Sequence, residues 1–188
     1  MLRTLSLLIL VATISGCTQV VHMMRDEPIE PDPHDTTLGT DLDDWQMDTA
    51  IGVNIKKTHP GLEKAPIRVT VYNRVVLLTG EVDTQELRRL AGETAAKFHG
   101  VRQVHNELLI TEDAGFLSRT NDSIIATKVN SKLLVSKEVD SGHIKVVVSN
   151  GQVYLMGKVD RVEGDRAAQI ASETGGVIRV VKVYEYLD

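Results

Sequence analysis

The sequence predicts an α+β chain, an α/β sandwich built twice in tandem. Each copy runs helix, strand, strand, helix, strand, giving a small mixed three-stranded sheet with two helices on one face. Three observations carry this reading. VTVYNRVVLLTGEVD at 69–83 aligns with VVVSNGQVYLMGKVD at 146–160 at an offset of 77. At an offset of 76, Ala50, Val53 and Asn54 align with Ala126, Val129 and Asn130, and Gly100 to Val104 with Gly176 to Val180. Each copy also changes period, from a helical stripe to β-branched runs and back to an Ala-rich segment. The copies occupy 43–111 and 119–188, with a linker at 112–118.

The elements follow in order. In the second copy Asp122 is expected as the N-cap of the first helix, on which Ile125, Val129 and Leu133 form the core stripe; Ile51 and Ile55 do so in the first copy. Pro60 and Pro66 follow that helix in the first copy and are expected to shorten or bend it. Residues 67–72 and 144–148 are strands, each turned at an Asn into a second strand, 75–79 or 152–156. Asn150-Gly151 is the strongest such turn, because a type I′ hairpin needs positive φ at both central residues. Helices are expected at 85–98 and 163–174, each capped by a following Gly, and then last strands at 101–110 and 177–187. Trp45, the sole tryptophan, precedes the first helix and is read as a packing residue at the helix entry, the alternative being a membrane anchor.

Hydrophobic residues make up 42% of the 188, enough to build cores and to exclude disorder throughout. Residues 1–16 read as a signal peptide: Arg3 is basic, 5–14 is an apolar run, and Ser15-Gly16 are small. That run is short of the roughly 20 residues of a spanning helix. Ile14-Ser15-Gly16-Cys17 resembles the lipobox of bacterial lipoproteins, which implies cleavage before Cys17 and a covalent lipid on it, palmitate included. The lone Cys then leaves no thiol for a disulfide, a metal or a nucleophile. Residues 17–42 form an acidic, Pro-containing tether. Over 18–48 the net charge is −8, whereas 49–188 carries +2, so a nucleic-acid reader is not indicated.

The hairpin ending Gly-x-Val, the Ala-rich helix and the Gly-Val-x-x-Val that follows resemble the BON domain of bacterial envelope proteins. Here these are Gly80 to Val82 with Gly100 to Val104, and Gly157 to Val159 with Gly176 to Val180. A lipobox ahead of two such domains resembles the dual-BON outer-membrane lipoproteins. That resemblance implies a periplasmic-face lipoprotein that binds anionic phospholipid and supports envelope integrity. The alternative is a protein-interaction adaptor for the outer-membrane assembly machinery.

No catalytic residue, metal site, small-molecule substrate or cofactor beyond the lipid on Cys17 is expected: the six histidines form no HExxH, and no Gly-x-Ser-x-Gly or phosphate loop occurs. Opposite the core stripe of the second copy's first helix lie Ile124, Lys128, Ser131 and Val135, flanked by Lys132. Apolar residues with ammonium groups between them suit a phospholipid headgroup layer, so these five are the candidate lipid contacts. The competing reading packs Ile124 and Val135 against the first copy. The family resemblance implies an aromatic at 124, and Ile here lacks its headgroup-level contacts. We expect Cys17→Ser to leave the protein soluble or unprocessed; its recovery in membranes after a high-salt wash would refute the anchor.

Overall fold

A computed structural model describes residues 38–111 and 118–187, with side chains described over 44–111 and 121–187. The expected signal peptide, Cys17, most of the expected tether and most of the expected linker lie outside these residues. The first repeat comprises α1 (Leu38–Thr58), α2 (Pro60–Glu63), β1 (Ile67–Tyr72), β2 (Val75–Val82), α3 (Gln85–Ala96), β3 (Gln103–Asn106) and β4 (Leu109–Ile110). The second comprises α4 (Ser118–Val135), a 3-10 turn (Ser141–His143), β5 (Ile144–Ser149), β6 (Gln152–Val159), α5 (Arg161–Ser172) and β7 (Arg179–Tyr186). As expected, each repeat is αββαβ. β1 and β2 are antiparallel, β3 and β4 join β2 in parallel, and β5–β6–β7 repeats the pattern.

Strand alternation divides each sheet between two cores. Val76, Leu78 and Val82 face Met47, Ile51 and Ile55 of α1 and Leu87, Ala91 and Ala95 of α3. Val153, Leu155 and Val159 likewise meet Ile125, Val129 and Leu133 of α4 and Ala167 and Ala171 of α5. The intervening residues point the other way. Val75 and Leu77 of the first sheet and Val147, Tyr154, Met156 and Val183 of the second form a third cluster, in which the two sheets pack face to face. The folded unit is therefore four layers deep, with helices on both outer faces. Burying a large apolar side chain contributes about 1.5–3 kcal/mol, and Leu77, Tyr154 and Met156 at this interface are all fully buried.

Polar contacts close both ends of the interface. Asn73 Nδ2 donates to Glu185 Oε2 at 2.7 Å, and Arg102 pairs with the same carboxylate at 2.8 Å. At the other end Asn150 Nδ2 donates to Glu81 Oε1 at 3.0 Å and Arg179 pairs with Glu107 at 2.9 Å. Each hairpin tip thus reaches the far end of the other sheet.

The hairpin turns have the expected positive φ at Asn73 and Arg74 and at Asn150 and Gly151. Such a turn points two backbone N–H groups away from the ladder, and they need acceptors. Asp122 supplies them: its two carboxylate oxygens accept from Asn150 N and Gly151 N, each at 2.8 Å. This corrects the expected N-cap, since α4 begins four residues earlier and Asp122 lies within the helix. Asp44, buried on α1, accepts from Asn73 N and Arg74 N in the same way. Aligning Asp44 with Asp122 gives an offset of 78, so Ile51 matches Val129 and Ile55 matches Leu133. The offset of 76 misaligned the first helices, and Val53, its match for Val129, is exposed.

Other expectations shift by small amounts. Pro60 ends α1 and starts α2, as the sequence suggested. The second helices end before the expected glycines, with Lys97 and Glu173 at the C-caps, and Asp160 caps α5 two residues early. Gly80 and Gly157 are required by close approach: a Cβ there would lie 2.0 Å from Pro66 O and 2.2 Å from His143 O. The last strand of the first repeat is interrupted between β3 and β4 without a change of register. Trp45 is 66% exposed, contrary to its reading as a packing residue, because it projects off the Met47–Ile51–Ile55 stripe.

Two outcomes test this architecture. Asp122→Ala should cost about 2–4 kcal/mol by stranding two charge-assisted bonds, and Asp122→Asn less; equal urea midpoints for wild type and Asp122→Ala would refute the clamp. His105, paired in register with Leu77, shares the inter-sheet face. Burial lowers its pKa from the ordinary 6.5, the Glu107 carboxylate acting in the opposite direction. The unfolded chain therefore takes up this proton at a higher pH than the folded chain, so stability present above about pH 6.5 declines as pH falls. His105→Gln should flatten that part of the pH profile, measured by denaturant midpoints between pH 7.5 and 5.

Candidate membrane-facing helix

α4 is placed by its buried side. Ile125, Val129 and Leu133 are almost wholly buried, and Gly176 lies beneath Ile125, where a Cβ would come within 3.0 Å of its side chain. The Asp122 clamp fixes the rotation of the helix about its axis. Its polar side chains are largely satisfied locally: Thr127 Oγ1 donates to Ser123 O at 2.9 Å and Asn130 Nδ2 to Ala126 O at 3.0 Å.

The fixed rotation turns the opposite side outward. Ile124 is 49% exposed and Val135 78%, and Lys128 and Ser131 between them are also exposed. All four predicted positions share one open face. The competing reading, in which Ile124 and Val135 pack on the first repeat, is not what the fold provides: the repeats meet through their sheets. Lys132 stands apart from the stripe. Its Nζ donates to Glu173 O at 2.9 Å, so it also tethers α4 to the C-terminal end of α5.

Sequence reasoning missed Leu134, which is 73% exposed beside Val135. It neighbours the core residue Leu133 in sequence, and only the helical phase separates them. Together Leu134 and Val135 form an apolar end to the helix that is larger than the stripe implied.

The buried titratable groups lie elsewhere. The Tyr184 hydroxyl is buried without a hydrogen-bond partner among the described residues, against Gly164, and burial pushes its pKa far up. A phenol held neutral in this way has no activated oxygen. Among the described residues no three His, Cys, Asp or Glu side chains are grouped to hold a metal, and no helix is long and apolar enough to cross a membrane.

A two-layer αββαβ unit, built twice in one chain with the two sheets packed together and the helices outside, defines the class as a tandem of small α+β modules. The chain belongs to the BON domain family, whose model matches residues 43–112 and 121–187. It is 34% identical over 166 residues to the 21 kDa hemolysin of Actinobacillus pleuropneumoniae, covering 88% of this chain and 84% of that one. It is 34% identical over 152 residues to the outer membrane lipoprotein DolP of Haemophilus influenzae, covering 81% and 79%. The osmotically-inducible protein Y of Escherichia coli is 30% identical over 136 residues, covering 69% and 68%. Among solved structures, the C-terminal domain of CdsD from the type III secretion system of Chlamydia trachomatis aligns at 17% identity with a TM-score of 0.30. That alignment covers 77% of this chain and 67% of that one.

Proposed function

We propose that this chain is a non-enzymatic envelope lipoprotein, acylated at Cys17 and held at the periplasmic face of the outer membrane. Its second BON domain binds anionic phospholipid through α4, with Ile124, Lys128, Ser131 and Val135 facing the lipid. Lys132 adds charge at the edge, and Leu134 joins the apolar end. The observation that carries the reading is the uncovered face of α4, where exposed apolar residues near both ends flank a lysine. Side chains that enter the acyl boundary and ammonium groups that meet phosphate are what a helix lying in a headgroup layer requires. The similarity to a relative named as an outer membrane lipoprotein supports the location. The acyl anchor and the helix reinforce each other, since tethering raises the local concentration of a weak binding face. Support for envelope integrity follows from that attachment.

Binding of the chain to phosphatidylglycerol liposomes tests this. Ile124→Glu should abolish binding and leave the melting temperature unchanged. A basic residue near an anionic surface contributes about 1 kcal/mol, so Lys128→Glu should weaken binding more than tenfold at low salt and less at high salt. Val129→Asp should instead unfold the second repeat, because it buries an unpaired carboxylate. Binding that ignores both headgroup charge and salt would favour the adaptor reading, in which the same face docks a protein.

A further inference from the structure

The helices of the first repeat carry basic residues that have no basic counterpart in the second. Between the C-terminal halves of α1 and α3 lies an open groove of about 500 Å³, lined by Lys57, Lys97 and His99 together with Thr58, Thr94 and Phe98. The Thr58 and Thr94 hydroxyls lie 3.3 Å apart across the groove floor, each donating to a carbonyl of its own helix, Asn54 O at 2.7 Å and Leu90 O at 2.8 Å. No carboxylate lines the groove; Glu93, one turn before Lys97, is paired with Arg89. Among the described residues, the Lys57, Lys97 and His99 side chains make no hydrogen bond or ion pair.

Cations at helix C-terminal ends are favourable in themselves, because they offset the exposed carbonyls. The second repeat shows how little of this the fold requires. Matching Asp44 with Asp122, and the helix caps Thr84 with Asp160, places Val135 at the position of Lys57, Glu173 at that of Lys97 and Gly175 at that of His99. There one lysine serves the helix end, with Lys132 Nζ bonded to Glu173 O. The basic lining of the first repeat therefore exceeds what the architecture needs.

We infer that this groove binds a phosphate-bearing ligand. Two ammonium groups and an imidazole converge on one concavity, a point-charge arrangement suited to a phosphate, and Phe98 offers an apolar wall to the rest of an ester. The phosphate has two sources, a soluble phosphate ester or a phospholipid headgroup. Because the helical layers lie on opposite outer faces of the sandwich, the groove faces away from any bilayer on which α4 rests. A headgroup in it therefore belongs to a second membrane surface. The inference stands independently of lipid binding by α4.

Two experiments on the full chain separate the sources, both in an Ile124→Glu background that removes the contribution of α4. In the first, the detergent-solubilised protein is titrated with inorganic phosphate and with glycerol 1-phosphate while the amide resonances of Thr94, Lys97 and His99 are followed. In the second, protein anchored in zwitterionic vesicles is mixed with phosphatidylglycerol vesicles and their capture is counted. Saturable shifts in the first alone assign a soluble ester. Capture in the second, with or without those shifts, assigns a headgroup. In either case Lys57→Glu with Lys97→Glu should weaken the response more than tenfold at an unchanged melting temperature, and the paired Gln substitutions should do so less. No response in either experiment, or one that survives the double reversal, overturns the inference.

Discussion

The packing of one small mixed sheet on the other is the constraint on which the rest depends. Helices cover only one face of each sheet, and the opposite faces carry Leu77, Tyr154, Met156 and Val183, which no element of their own repeat covers. Each repeat therefore completes the other's core. The same solution decides where function can reside, because joining the sheets leaves all the long helices on the outside. The outer face of α4 is exposed because the sheets, and not the helices, form the joint.

Within a repeat, the first helix and the hairpin are locked by a single carboxylate. Asp44 and Asp122 each bridge 28 to 30 residues of sequence to hold the two N–H groups of a positive-φ turn. Hydrogen bonds to an ionised acceptor are about twice as strong as neutral ones, and here two share one side chain. The clamp sets the helical phase: with Asp122 on the turn, Ile125 and Val129 fall inward and Ile124 and Lys128 outward. The composition of the exposed face follows from that phase.

Much of this was legible in the residues. The duplication, the Asn turns and the Ile125–Val129–Leu133 stripe each have a short-range physical cause and emerged in the expected places. The outward direction of Ile124, Lys128, Ser131 and Val135 was legible for the same reason, since helical periodicity fixes it once the core stripe is known. Asp122 was misread because a carboxylate near a helix start suits an N-cap, and its true partners lie 28 and 29 residues away. The sheet-to-sheet joint did have a signal. Val75 to Leu78 and Val153 to Met156 are apolar without alternation, as strands buried on both faces are. Trp45 and Leu134 were harder, because hydrophobicity predicts burial and nothing local marks these two as exceptions. The basic groove joins Lys57 to Lys97 across two helices and has no linear motif.

The polar contacts at the two ends of the interface are alike in layout but not in residues. Glu185 receives Asn73 and Arg102 at one end, while Glu81 and Glu107 receive Asn150 and Arg179 at the other. In register, the first-repeat counterpart of Glu185 is Leu109. Two first repeats placed face to face would set Arg102 against a leucine and lose the ion pair. The arrangement has the layout of a symmetric dimer within one chain, with two halves that are no longer interchangeable. The divergence makes the joint directional: the last strand of the second repeat offers a carboxylate to Arg102, and the last strand of the first repeat does not.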